Sequence, residues 1–419
     1  MNKIATNRGF AGMLVRLTAL AFVLLAVSCH NPQTETKSHP MNAGVQYQQL
    51  TNFGDANLGL LSDKLTNTAN KSVHIVQLGD SHTAADFFTG ELRNLFQRQF
   101  DNGGIGFVNP VAVPGQRYSH IMFSHDKKAW NILSSRKDKS DYFPLGGFIA
   151  EPTAAQSNVS MKLRTADAQP YQAQALYAAQ SDSQFALNSN SVSLPATSGQ
   201  WRLSPPQQVS FPLSATFSSG QGVKLGGWFI TREKPGVIVS ALGINGATLS
   251  MVDKWQSQWI DTLAQTKPDM IILAYGTNEA FNDTLDLTRY QQQLEQKVAQ
   301  LRQAMPQAVI LLVGPSDSIK NKNQSGCQQM QPQLLSQIVE IQRQVAQNNK
   351  ALFWDWRAFM GGECSIQNWA ADGNARPDLV HLSQDGYKKS ADAMYQQLMH
   401  GLGLVPGIWA RGLPTRLVQ

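Results

Sequence analysis

Apolar runs that end in turns recur along this sequence and leave few folds open to it. Val73–Leu78 runs into Gly79-Asp80-Ser81, and 236–242 runs into Gly243-Ile244-Asn245-Gly246. The run 268–275 ends in Gly276-Thr277-Asn278-Glu279, and 308–313 ends in Gly314-Pro315-Ser316-Asp317; 351–356 is a further run. These are short and continuously apolar, as strands buried on both faces are. Helical spacing follows most of them. Phe87, Phe88, Leu92, Leu95 and Phe96 share a face within 83–100, and Met251, Val252, Trp255, Trp259 and Leu263 share one further on. Helices are also expected over 285–304, 331–347 and 383–400, the last with Ser383 as N-cap and Gly401 past its end. Strand–helix alternation implies an α/β fold, a doubly wound parallel sheet with right-handed crossovers. Ligands of such sheets bind beyond the carboxyl ends of the strands, where Ser81, Gly246 and Asn278 all fall.

Between about 118 and 226 the helical period disappears. Short segments at 148–149, 159–163, 174–177, 191–194, 209–211 and 223–230 are separated by Gly, Pro, Ser, Asn and Asp, which suggests an all-β sandwich inserted in the α/β domain. Residues 103–110, GGIGFVNP, read as a glycine-rich loop, and 47–65 as a helix leading into the first strand. The expected organisation is a leader over 1–28, a tether and N-terminal segment over 29–70, catalytic parts over 71–119 and 226–419, and the β insertion over 120–225.

The leader begins with Lys3, Arg8 and Arg16 around a short apolar run, 17–27, and ends in Ala26-Val27-Ser28-Cys29. This is a signal-peptide pattern. The last four residues resemble a bacterial lipoprotein processing box, with Cys29 as the lipidated N-terminus; plain cleavage after Ser28 is the alternative. Export to the periplasm with an outer-membrane lipid anchor is the resulting expectation. Losing the leader takes three of the positive charges from a net +6, leaving +3, with no Lys/Arg stripe, which argues against a nucleic-acid partner. In an oxidising compartment Cys327 and Cys364 are free to pair or to remain separate thiols.

Taken alone, Gly79-Asp80-Ser81 is an ordinary turn with Ser81 capping a helix. It gains meaning from Gly246, from Asn278 and from Asp378-Leu379-Val380-His381. A serine hydroxyl needs a base to attack an ester, and His381 is the candidate. Asp378, three residues earlier, is placed to orient the imidazole. In this order the four stretches resemble the signature blocks of the SGNH (GDSL-type) esterases, over about 72–119 and 226–404. The resemblance implies a flavodoxin-like SGNH fold, a Ser81–His381–Asp378 triad, and an oxyanion hole from the N–H groups of Ser81 and Gly246 with the Asn278 amide. Gly243 competes with Gly246 for that role. His82 and Glu279 stand where the family usually has Leu and Asp. With the β insertion, they make the chain resemble bacterial peptidoglycan O-acetylesterases, whose inserted module is jelly-roll-like and resembles a carbohydrate-binding module. That branch implies release of acetyl from the 6-position of N-acetylmuramic acid, O-acetylated glycan strands as partner, and no metal or organic cofactor. Of Trp228, Trp354, Trp356 and Trp369, one or two are candidates to stack on sugar, core packing being the favoured role for Trp228 and Trp354. An acetyltransferase with the same acyl-enzyme and a non-catalytic glycan-binding lipoprotein are the alternative functions.

Overall fold

The structure, a computed structural model, describes residues 49–140 and 142–407. Cys29, the leader and most of the tether lie outside the described residues.

Six parallel strands form the centre: β1 (Val73–Gly79), β2 (Asn102–Val108), β3 (Val237–Gly243), β4 (Met270–Ala274), β5 (Val309–Val313) and β6 (Leu352–Trp354). They stand in the order β6-β5-β4-β1-β3-β2, so β1 lies in the middle of the parallel set. Every residue of β1 is buried. Val73 and Ile75 enter one apolar core while Val76 and Leu78 enter another, the strand's two-residue period serving both faces. Helices α1 (Phe88–Phe100) and α4 (Gln384–Gly401) cover the first face with Leu92, Phe96, Tyr395 and Met399. Helices α2 (Leu287–Ala304) and α3 (Leu335–Asn348) cover the second with Leu294, Val298 and Ile338. This is the doubly wound α/β architecture expected. Ser383 caps α4 by accepting the Gly386 N–H at 3.1 Å.

The β insertion is present as a sandwich. A five-stranded antiparallel sheet carries Ile121–His125, Ser157–Leu163, Ser183–Leu187, Asn190–Leu194 and Leu213–Phe217. It buries Val159, Met161, Phe185 and Phe217 against Trp228 and Ile230 of the facing sheet. That facing sheet is an extension of the parallel one: Val223–Arg232 pairs antiparallel with β2 on one side and with Tyr171–Ala179 on the other. The two parts therefore share a continuous hydrogen-bonded sheet.

Strand β2 was expected as a loop because its glycines lack β propensity. They are there for contact. A Cβ on Gly104 would lie 2.5 Å from Thr231 Cα, and one on Gly106 would lie 2.3 Å from Ser240 Oγ, so only glycine lets both neighbouring strands close in. Three helix expectations also change. The helix over 83–100 is two pieces, Ser81–Ala84 and α1, broken where Asp86 takes φ 50°. The Asp86 carboxylate accepts from the Ser119 N–H and hydroxyl, both at 2.7 Å, and this bonding holds the break. The 251–263 segment is a 3₁₀ turn, Leu249–Lys254, followed by a short helix, Trp259–Gln265. Within 47–65 a strand, Leu50–Asn52, pairs antiparallel with β6, and the helix starts only at Leu58. Cys327 and Cys364 are disulfide-bonded, with Cα atoms 5.8 Å apart.

Candidate active site

The central strand delivers Ser81. Beyond Gly79 the chain turns at Asp80, whose buried carboxylate accepts the His82 N–H at 2.9 Å. Asp80, rather than Ser81, thus caps the short helix, and Ser81 occupies its first turn with its hydroxyl free to project. Burial pushes the Asp80 carboxyl up to about 6, against the pull of the His82 N–H and the Thr277 hydroxyl. Its own N–H reaches the carbonyl of Ala274 at the end of β4, so the turn is tied to the neighbouring strand.

His381 arrives from the loop before α4. Its Nε2 lies 2.9 Å from Ser81 Oγ, and its Nδ1 lies 3.0 Å from Asp378 Oδ2. The loop is no helical turn. Asp378 Oδ1 accepts the backbone N–H groups of Val380 and His381 at 3.0 and 2.8 Å, and Leu379 between them takes φ 57°. A left-handed leucine is costly and persists where its surroundings hold it. Here Leu379 donates to the Arg376 carbonyl and accepts from Ile319 N–H at 2.8 Å. For the Asp378 carboxyl, burial pulls upward, but the His381 and Val380 N–H groups and the His381 ring outweigh it and hold the group below the usual carboxylate range. The arrangement is a hydroxyl on a base, and the base on a carboxylate.

Gly246 and Asn278 stand beyond β3 and β4, the two strands flanking β1. Gly246 takes φ 72°, and a Cβ there would meet the Arg136 guanidinium at 2.4 Å. That guanidinium comes from the β insertion and donates to the Asn245 carbonyl at 2.7 Å. Gly243, by contrast, ends β3 packed against the Ser81 helix: its Cβ would lie 2.2 Å from Ala84 N. Asn278 Nδ2 donates to the Ala247 carbonyl at 2.8 Å, which orients the amide and leaves its second N–H for another acceptor.

Two residues have roles that their sequence positions did not reveal. Buried Glu279 accepts Leu249 N–H at 2.6 Å and Gly276 N–H at 3.0 Å, clamping the Gly246 loop to the Asn278 turn. Burial, with the nearby Asp80 charge, pushes its carboxyl up to about 7. The only sequence signal was its replacement of the family's Asp. His82 is buried beneath His381, ring centroids 5.4 Å apart, and bonds the Tyr387 hydroxyl at 2.9 Å. Burial, then the neighbouring His381, lowers its pKa to about 3, so it stays neutral and supports His381 by packing. Trp228 and Trp354 pack in the core as favoured, and Trp356 and Trp369, the remaining candidates to stack on sugar, are buried there too.

Known proteins give this geometry a context. Residues 103–214 match the family model for the N-terminal domain of peptidoglycan O-acetylesterase, and 221–389 match the GDSL-like lipase/acylhydrolase family. Ser81 lies upstream of both spans. No curated protein matches the chain. Among solved structures, a peptidoglycan O-acetylesterase is 34% identical with a TM-score of 0.77, covering 85% of this chain and 99% of its own. An acetyl xylan esterase aligns at 20% identity and a TM-score of 0.31, covering 38% of this chain and 79% of its own. Likeness at 34% identity over nearly the whole of the first of these structures sets the kinship: this chain belongs to the SGNH (GDSL-type) acylhydrolases, alongside the peptidoglycan O-acetylesterases, and is a carboxylic ester hydrolase.

Proposed function

We propose that the chain removes O-acetyl groups from peptidoglycan, at the 6-position of N-acetylmuramic acid, with Ser81 as nucleophile, His381 as base and Asp378 as orienting carboxylate. The observation that carries the reading is the pair of hydrogen bonds joining Ser81, His381 and Asp378, the first across 300 residues of sequence. Ser81 Oγ attacks the acetyl carbonyl while His381 Nε2 takes its proton. The carbonyl oxygen becomes an oxyanion, held by the Ser81 and Gly246 N–H groups and the Asn278 amide. As the intermediate collapses, the sugar oxygen leaves with the proton from His381 and acetyl stays on Ser81. Water, deprotonated by the same imidazole, then releases acetate. Ionised Asp378 stabilises the imidazolium that forms in each half. The substrate assignment draws on the relative's name and on the matching domain pair. Its test is acetate release from O-acetylated peptidoglycan by the purified protein; no release while simple acetyl esters are cleaved would overturn the substrate and leave the esterase.

Asn278→Ala is expected to lower kcat by about 10²–10³ with little change in KM, since the amide meets charge that develops only in the transition state. Equal losses in kcat for Asn278→Ala and Asn278→Asp would tell against this, because the aspartate adds repulsion to the lost donor. Export and lipidation at Cys29 belong to the same proposal, motivated by the leader's charge and apolar run. Labelled fatty acid should enter the native chain and not a Cys29→Ser variant; labelling of both would refute the site.

A further inference from the structure

A pocket of about 250 Å³ opens on the flank of His381, between the catalytic loop and the start of α4. Arg117 and Arg376 line it, with the Phe87 ring and Tyr387. Both arginines are exposed. Their backbones are fixed to the reacting groups: Arg376 N–H donates to the His381 carbonyl at 2.8 Å, and Arg117 N–H to the Ala84 carbonyl at 3.2 Å, one turn beyond Ser81. The Arg117 guanidinium lies 5.8 Å from the Phe87 ring centroid, which gives it a seat without neutralising it. Elsewhere Arg93, Arg232, Arg302, Arg343 and Arg357 each pair with a carboxylate. Among the described residues Arg117 and Arg376 form no ion pair, as is also true of Arg98, Arg136, Arg164, Arg202 and Arg289, but they alone of these line the pocket beside His381. Asp378, on the same loop, has both oxygens committed to Val380 and His381.

A neutral acetylated sugar has no use for two guanidinium groups without an ion-pair partner in a pocket beside His381. A carboxylate does, since it can take charge-assisted, forked hydrogen bonds from them. We propose that Arg117 and Arg376 form a carboxylate-binding subsite that makes this esterase select acetyl esters on acidic glycan. The proposal rests on the peptidoglycan reading and deepens it. Peptidoglycan offers a carboxylate in two places: on the lactyl group of muramic acid where no peptide is attached, and on the stem peptide where one is. There is room for either branch, because the pocket shares Phe87 and Gln384 with a larger groove of about 430 Å³ that runs along α1 to Arg164 and Asp167 of the β insertion.

The test is inhibition of 4-nitrophenyl acetate hydrolysis by the purified protein, which needs no peptidoglycan. The inhibitors are N-acetylglucosamine, N-acetylmuramic acid and N-acetylmuramoyl-L-alanyl-D-glutamate, which carry no carboxylate, a lactyl carboxylate and only peptide carboxylates respectively. At least one acidic sugar should inhibit about tenfold more tightly than the neutral one. Which acidic sugar does so identifies the source. In R117A/R376A that preference should vanish, and in R117K/R376K it should survive in part. Raising the ionic strength should erode it in the native chain, a readout independent of any variant's folding. Equal inhibition by all three sugars, no inhibition by any, or a preference that persists in R117A/R376A would overturn the subsite. Failure of the peptidoglycan reading is seen separately, as no acetate release from acetylated peptidoglycan.

Discussion

Ser81→Ala is expected to lower kcat for acetyl-ester hydrolysis by about 10⁵-fold or more, and to abolish labelling of residue 81 by a serine-directed covalent inhibitor. The expectation rests on Ser81 Oγ being the atom that bonds to the substrate, so its loss removes the acyl-enzyme route and leaves only the residual catalysis of the oxyanion hole and binding. The fold should not change. Asp80 and its hydrogen bond to His82 N–H hold the turn, and β1 is locked in the sheet on both sides, so the variant loses one half-exposed hydroxyl. A melting temperature close to that of the native chain together with lost turnover separates chemistry from folding. Activity within about tenfold of native would mean another nucleophile. The same variant settles whether release of acetate from peptidoglycan and from 4-nitrophenyl acetate uses one site, because both must fall together.

What was legible in the sequence follows from what is local. Ser81, Gly246 and Asn278 could be placed because each ends an apolar run, and apolar runs with glycine turns declare buried strands. Asp378 and His381 could be paired because they are three residues apart, although the bond between them is made by a backbone turn through a left-handed Leu379 that no propensity foretells. The sheet's continuation through β2 was hidden, because the glycines that allow close strand contact are the residues that usually signal a loop. Two contacts that shape the loops around the site were hidden for another reason. Arg136 meets Asn245 across 109 residues and Glu279 meets Leu249 across 30, and neither partner carries a local mark of the other. Trp356 and Trp369 could not be assigned because an aromatic residue near a site loop has the same sequence signature whether its ring faces sugar or core. The core claimed both.

Asp378→Asn is expected to lower kcat by about 10⁴ while leaving the loop folded. Asparagine can still offer its carbonyl oxygen to the Val380 and His381 N–H groups, so the turn that carries Leu379 survives. Its amide then faces His381 Nδ1 with a donor. The imidazole must answer with an unprotonated Nδ1 and put its hydrogen on Nε2, toward Ser81, where a lone pair is needed. The base is thereby disabled in place. Stability follows a different course. The folded Asp378 carboxyl sits below its unfolded value, so its ionised form favours the native state above about pH 4 and loses that effect as the pH falls through the folded value. Solvent screening of the half-exposed carboxylate keeps the effect small. The native chain should be slightly the more stable near neutrality, and the two melting curves should converge under acid. The kinetic deficit should stay large across the neutral range, because it comes from the tautomer and from the missing charge beside the imidazolium. If kcat dropped by less than about tenfold, His381 would not need Asp378, and the hydrogen bond at 3.0 Å would be a structural clasp only.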